Sequence, residues 1–216
     1  KWSVGQSGEI KNNKKSTVSC PKGTTVVVRN LIGGLRSRRI QVSSRALKNI
    51  EEFKNMINHY SLNARNVRFY FSLVKLAKNG TKIDKQLQHS LNTKLSKVRV
   101  LSNIGQLRKP TSDNFLVMDD LEVSDLITLE VILPKMRPEF DVVNIKKPKK
   151  FFSVNDRVMS LKFGLGHSFN KVISSTYRHL QLLEPMIWYV NLHCSMSITD
   201  VNIEPGKDDI FIRNTD

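Results

Sequence analysis

Between Gly23 and Arg39 the chain reads GTTVVVRNLIGGLRSRR, and the order of parts in this stretch restricts the fold more than any other segment does. Val26 and Val28 alternate with Thr25, Val27 and Arg29, the pattern of a half-buried strand built from β-branched residues. Asn30 and the pair Gly33-Gly34 end that strand, because glycine adopts backbone angles closed to other residues. Arg36, Arg38 and Arg39 follow at once, so a cationic cluster falls at a loop tip or in the first turn of a helix. By composition alone, a strand, a turn and a solvated charged loop would also account for it.

The residues before Gly23 read as a strand around Trp2 and Val4, a basic loop over Lys11–Thr17, and the approach to the Gly23 strand. The beginning Lys1-Trp2-Ser3-Val4 looks like a cut through a longer protein. After the arginines, Ser43 or Ser44 is positioned to cap a helix running to about Tyr60. Leu47, Ile50, Phe53, Ile57 and Tyr60 recur every three or four residues, which predicts a core-facing stripe. Val67–Leu76 and Thr81–Leu87 form two strands about an Asn79-Gly80 turn, and Ser90–Val100 a short helix. Phe115–Val123 and Asp125–Leu133 make adjacent strands, the second with one buried face. Asp119, Asp120, Glu122, Asp125 and Glu130 are the acidic zone of the chain. Pro134, Pro138 and Pro148 bracket a basic loop that includes Lys146, Lys147, Lys149 and Lys150. A strand over Phe151–Arg157 leads to a helix reaching Leu180, with Phe169, Val172, Ile173, Thr176, Tyr177 and Leu180 inward. The buried strand Pro185–Cys194 follows, Met186, Trp188, Val190 and Leu192 facing one side.

With 35 Lys+Arg against 19 Asp+Glu, the chain carries +16, more than solubility requires, and a polyanion is the expected partner. Nucleic acid is the simplest such partner; an acidic membrane surface is second. No apolar run approaches the ~20 residues that cross a bilayer. Cys20 and Cys194 fit no motif spacing, which points to a reducing compartment. His59, His89, His167, His179 and His193 stand singly, so no metal site is expected and they read as surface or packing residues.

Three segments, in order, resemble the MutL family of DNA mismatch-repair proteins. Gly23, Thr24, Thr25, Leu31, Leu35, Arg38 and Arg39 match the family's Gly-Thr-Thr strand and its Leu-x-x-Arg-Arg; the aromatic and proline of the intervening loop are replaced here by Ile32–Ser37. Val154, Asn155 and Arg157 match its Val-Asn-Gly-Arg element, with Asp156 in place of the usual small or basic residue. Asp200, Val201, Asn202, Pro205 and Lys207 match its Val-Asp-Val-Asn-Val-His-Pro-x-Lys stretch, with Glu204 where histidine is common.

The resemblance implies an α+β fold: a mixed sheet with helices packed on one face, in a transducer-like domain over residues 36–216, preceded by the last strands of a nucleotide-binding domain over residues 1–35. It implies that Lys207 reaches the terminal phosphate of ATP bound in the neighbouring domain. The motifs that bind and hydrolyse ATP belong upstream of Gly23, so ATP and Mg²⁺ are expected in a longer parent protein and not in this segment. It also implies a second MutL-family subunit as dimer partner, and double-stranded DNA gripped without sequence preference by Arg36, Arg38, Arg39, Lys94, Lys97, Lys149 and Lys150. The Lys- and Asn-rich composition leans eukaryotic, which would make the setting nuclear. About six neutralised phosphates correspond to a log–log salt slope of about −5. Two other readings stand beside it. One is a free-standing RNA- or ribosome-associated module, which requires exposed sheet aromatics such as Tyr70; the other is the second domain of a topoisomerase- or chaperone-type ATPase.

Overall fold

Apolar periodicity locates most of the elements formed by this chain, and local capping chemistry sets where several begin. The computed structural model describes residues 3–4, 7–11, 22, 32–64, 67–71, 75–76, 82–83, 89–91, 95–107, 112–135, 145–203, 206 and 208–213. Two compact units result, Lys1–Ala46 and Leu47–Asp216. In the first, β1 (Ser3–Val4) pairs antiparallel with β2 (Ile10–Lys11), and α1 spans Arg36–Ser44. The Val26–Val28 strand lies outside the described residues.

The second unit holds most of α2 (Ala46–Asn63), then β3 (Phe69–Phe71), β4 (Lys75–Leu76), β5 (Lys82–Ile83) and β6 (His89–Leu91). Next come α3 (Lys97–Gly105), β7 (Phe115–Ser124), β8 (Ile127–Pro134), β9 (Lys149–Val154) and β10 (Arg157–Val158). It ends with α4 (Gly164–His179), β11 (Ile187–Cys194), β12 (Thr199–Asp200) and β13 (Phe211–Ile212).

Five of these strands form one sheet in the order β10-β9-β11-β8-β7. The β9–β11 pair is parallel and the others antiparallel, so the sheet is mixed. A parallel pair needs a crossover, and α4 supplies it. Strand β11 lies at the centre and is buried almost throughout, with Trp188, Val190 and Leu192 on one face and Ile187 and Tyr189 on the other. Leu62 of α2 and Val100, Leu101 and Ile104 of α3 pack together on the Tyr189 face, as the α+β reading expects. Helix α4 adds a layer on the opposite face through Leu165, Phe169 and Ile173. Phe152 and Phe169 stack there with ring centroids 4.6 Å apart.

Several boundaries differ from the sequence expectation. Ser43 and Ser44 belong to α1, where the Ser44 hydroxyl donates back to the Gln41 carbonyl, so neither caps α2. The α2 stripe is core only in its last turns: Ile57 and Leu62 are buried, whereas Leu47 is 75% exposed and Phe53 and Tyr60 are exposed too. Ser90 and Leu91 pair as a strand with Tyr70 and Phe69 rather than opening a helix. The helix starts at Lys97 because Ser96 caps it, its hydroxyl oxygen accepting from the Arg99 amide at 3.4 Å. Lys149 and Lys150 are strand residues and not part of a loop. Met186 packs with the Tyr189 face, not with Trp188. Val172 and Thr176 of α4, and Leu180 just past its end, are exposed rather than inward. Strand β8 is covered on both faces at its middle, where Glu130, Val131 and Ile132 are all buried. The Asn79-Gly80 turn lies outside the described residues; the antiparallel pairing of Lys75 with Ile83 agrees with a hairpin there.

Candidate functional site

Helix α1 carries the cationic cluster. Arg36, Arg38 and Arg39 occupy its first turn, exposed, with no acidic residue in that turn and no side chain capping the free amides. The helix dipole is positive at this end, so three guanidiniums there are locally unfavourable and complement an anion. Arg36, Arg39, Ile40, Ser43 and Ser44 line an open concavity of about 740 Å³. Guanidiniums and hydroxyls along one helix face are the groups that bind phosphate oxygens without reading bases.

The Val-Asn-x-Arg motif folds as a tight hairpin between β9 and β10. Asn155 and Asp156 have φ of 48° and 63°, the left-handed angles at both central positions of a type I′ turn. Val154 pairs with Arg157 across it. The turn is clamped to the end of β11: Asn155 Oδ1 accepts from the Cys194 amide at 2.8 Å, and Asn155 Nδ2 donates to the Cys194 carbonyl at 3.0 Å. Asn155→Ala therefore loses two hydrogen bonds and places a Cβ-bearing residue of poor left-handed propensity at φ 48°. We expect a loss of about 2–3 kcal/mol in urea unfolding. Asn155→Gly, which relieves the backbone term alone, should lose less.

Beneath this turn runs a buried polar network that sequence reasoning missed. Asn63 Nδ2 donates to Ser153 Oγ and to the Asp156 carbonyl, both at 2.8 Å. His59 Nε2 lies 2.7 Å from the same Ser153 Oγ, and its ring meets Phe151 edge-on. Tyr189 donates to Asn63 Oδ1 at 3.0 Å, and Asn191 Nδ2 donates to Asp156 Oδ1 at 2.7 Å. At the far end the Lys97 ammonium is paired with Glu130 and sits 5.0 Å above the Tyr189 ring centroid. The Lys97 and Glu130 side chains are only 17% and 6% exposed. Burial holds the His59 imidazole down at about 3. Burial, with the Glu130 charge, raises the Tyr189 phenol well above its ordinary range. Two spacings carried the signal: His59 and Asn63 at i, i+4 on α2, and Tyr189, Asn191 and His193 alternating on β11.

The predicted phosphate contacts therefore divide. The arginines of α1 face solvent. Lys97 is turned inward onto Glu130. Lys149 Nζ reaches Asn55 at 3.2 Å, and Lys150 Nζ is held by Glu184 at 2.5 Å and Asn170 at 3.2 Å. In the last motif Asp200 pairs with Phe211, and its carboxylate accepts from the Asn202 amide at 2.9 Å, while Val201 packs on the α4-side core. Gly23, Thr24, Thr25, Lys94, Pro205 and Lys207 lie outside the described residues. Among the described residues no cluster of metal-ligating side chains occurs, and no helix is long and apolar enough to cross a membrane.

No known protein-family profile and no curated protein sequence matches this chain. Its fold is shared with a solved structure described as the N-terminal domain of a DNA repair protein, with a TM-score of 0.65 and 21% identity. The similarity covers 99% of this chain and 62% of that one, so this chain spans less than two thirds of the structure it matches.

Proposed function

We propose that this chain is the transducer-like part of a MutL-type mismatch-repair protein, coupling the nucleotide state of an adjacent ATPase domain to subunit dimerisation and to DNA held without sequence preference. The observation that carries this reading is the shared fold with a DNA-repair N-terminal domain over 99% of the chain. The ordered motifs and the +16 charge support it. In the parent protein Lys207 would contact the third phosphate of ATP, a compact ammonium at a turn stiffened by Pro205. Arg36, Arg38 and Arg39 would grip DNA phosphates. Lys97 and Lys150, engaged inside the protein, would contribute to the fold instead. The partner is a second MutL-family subunit, and the setting nuclear.

Two measurements test this. Duplex DNA affinity should fall steeply with salt, and Arg36→Ala/Arg38→Ala/Arg39→Ala should lower the log–log slope by about 3. A slope unchanged by the triple substitution removes the arginines from the interface. In the ATP-binding parent, Lys207→Ala should slow ATP hydrolysis or ATP-driven dimerisation without lowering Tm. Wild-type turnover in that variant would remove Lys207 from the mechanism. The RNA-module reading needs exposed aromatics on the sheet; Phe69 and Phe71 are half-buried, Phe71 packing 5.2 Å from Phe53, while the side chain of its candidate, Tyr70, lies outside those described.

A further inference from the structure

Strand β7 forms one edge of the five-stranded sheet and is ten residues long. Its inner side pairs with β8, from Phe115 opposite Pro134 to Ser124 opposite Ile127, with breaks after Met118 and after Glu122. No strand among the described residues pairs with its outer side. An unpaired edge presents a row of amides and carbonyls able to accept another strand.

The side chains along this edge are unusual in two respects. Leu116, Val117, Leu121 and Val123 are exposed, Val123 at 57%. The cross-strand register places Leu116 and Leu121 beside Leu133 and Leu129 on the α4 side, and Val117 beside Ile132 on the α3 side. Both packed faces thus run out onto β7 and end uncovered, with Leu116 and Leu121 exposed on the α4 side. The second feature is charge. Asp119, Asp120, Glu122 and Asp125 are exposed here, and among the described residues no cation lies within ion-pair distance of them. In a chain of +16 this edge has the opposite sign to the rest.

We propose that β7 is a docking edge for an extended, lysine- or arginine-bearing segment of a partner protein, added antiparallel or parallel as a sixth strand. The carboxylates select the occupant. Two copies of β7 meeting edge to edge would set Asp119, Asp120 and Glu122 against like charges, which disfavours self-pairing. A strand alternating apolar and basic residues would cover Leu116 and Leu121 on the α4 side and set its cations on the other side, where Glu122 lies opposite Thr128.

The probe is a capped decapeptide alternating lysine and valine, titrated into the ¹⁵N-labelled full 216-residue chain. Binding is expected despite the repulsion between a basic peptide and a +16 protein. It should weaken with salt, and amide shifts should be confined to Leu116–Asp125. The exposed double substitution Asp119→Lys/Glu122→Lys should reduce affinity at least about tenfold while leaving the wild-type circular dichroism spectrum. A glutamate–valine peptide serves as control; its shifts should fall on the basic surfaces and not on β7. Absence of binding at millimolar peptide, shifts away from β7, or indifference to the double substitution would each overturn the proposal. So would a concentration-dependent dimer in sedimentation that Asp119→Lys/Glu122→Lys abolishes, since the occupant would then be a second copy.

Discussion

Lys97→Met should lower the unfolding free energy by about 3–5 kcal/mol, although lysine at a helix start normally reads as a solvated surface residue. The ammonium is the partner of Glu130, whose side chain is 6% exposed in the centre of β8. Remove it, and a carboxylate remains in the sheet interior; among the described residues the Tyr189 hydroxyl, 3.4 Å away, is its remaining polar partner. Desolvation of an unpaired ion is what makes the loss large; the pair itself contributes far less than this figure. Lys97→Met/Glu130→Leu should therefore recover most of the stability, because both charges leave together. Urea midpoints for the two variants decide the point, and equal losses would show that packing, not charge, holds this site together.

A second large effect should appear with pH. His59 is buried on α2, and desolvation takes its folded-state value from 6.5 to about 3. Once unfolded it titrates near 6.5, so between these values the unfolded chain binds a proton that the native chain refuses. Stability is complete above pH 6.5 and falls with acid at about 1.4 kcal/mol per pH unit, reaching about 2 kcal/mol lost at pH 5. Protonation would also make Nε2 a donor toward Ser153 Oγ, which already accepts from Asn63. His59→Gln should remove this part of the slope while keeping a hydrogen-bonding partner for Ser153. Glu51 and Glu184 are lowered by Lys147 and Lys150, so they act in a more acidic window and do not confuse the comparison above pH 5. Matching slopes for His59→Gln and wild type from pH 6.5 to 5 would mean that His59 charges freely in the native state.

Much of the sheet was legible because period-two alternation reports strands directly. The paired runs at Phe115–Ser124 and Ile127–Pro134, and the apolar face of Trp188, Val190 and Leu192, follow from residue order alone. The Asn155-Asp156 turn was not legible: Phe151–Arg157 reads as one strand, whereas β9 ends at Val154 and two consecutive left-handed residues turn the chain back into β10. Alternation says which residues share a face but not whether that face is covered. The polar side of β8 reads as wet, yet Glu130 is buried beneath α3 and meets Lys97 from 33 positions upstream. The α2 stripe reads as core along its whole length, yet Leu47 and Phe53 are exposed.

Local order in the chain thus determined most of the sheet strands, the cationic cluster of Arg36, Arg38 and Arg39 and the sign of the net charge, all of which depend on near neighbours or on composition. Tertiary structure alone decided which lysines face solvent and which are held inside, how His59, Asn63, Ser153, Asp156 and Asn191 come together, and which strand lies at the sheet edge. Those outcomes depend on residues distant in sequence meeting in space, 33 positions apart for Lys97 and Glu130 and 94 for His59 and Ser153, and neither periodicity nor spacing encodes that meeting.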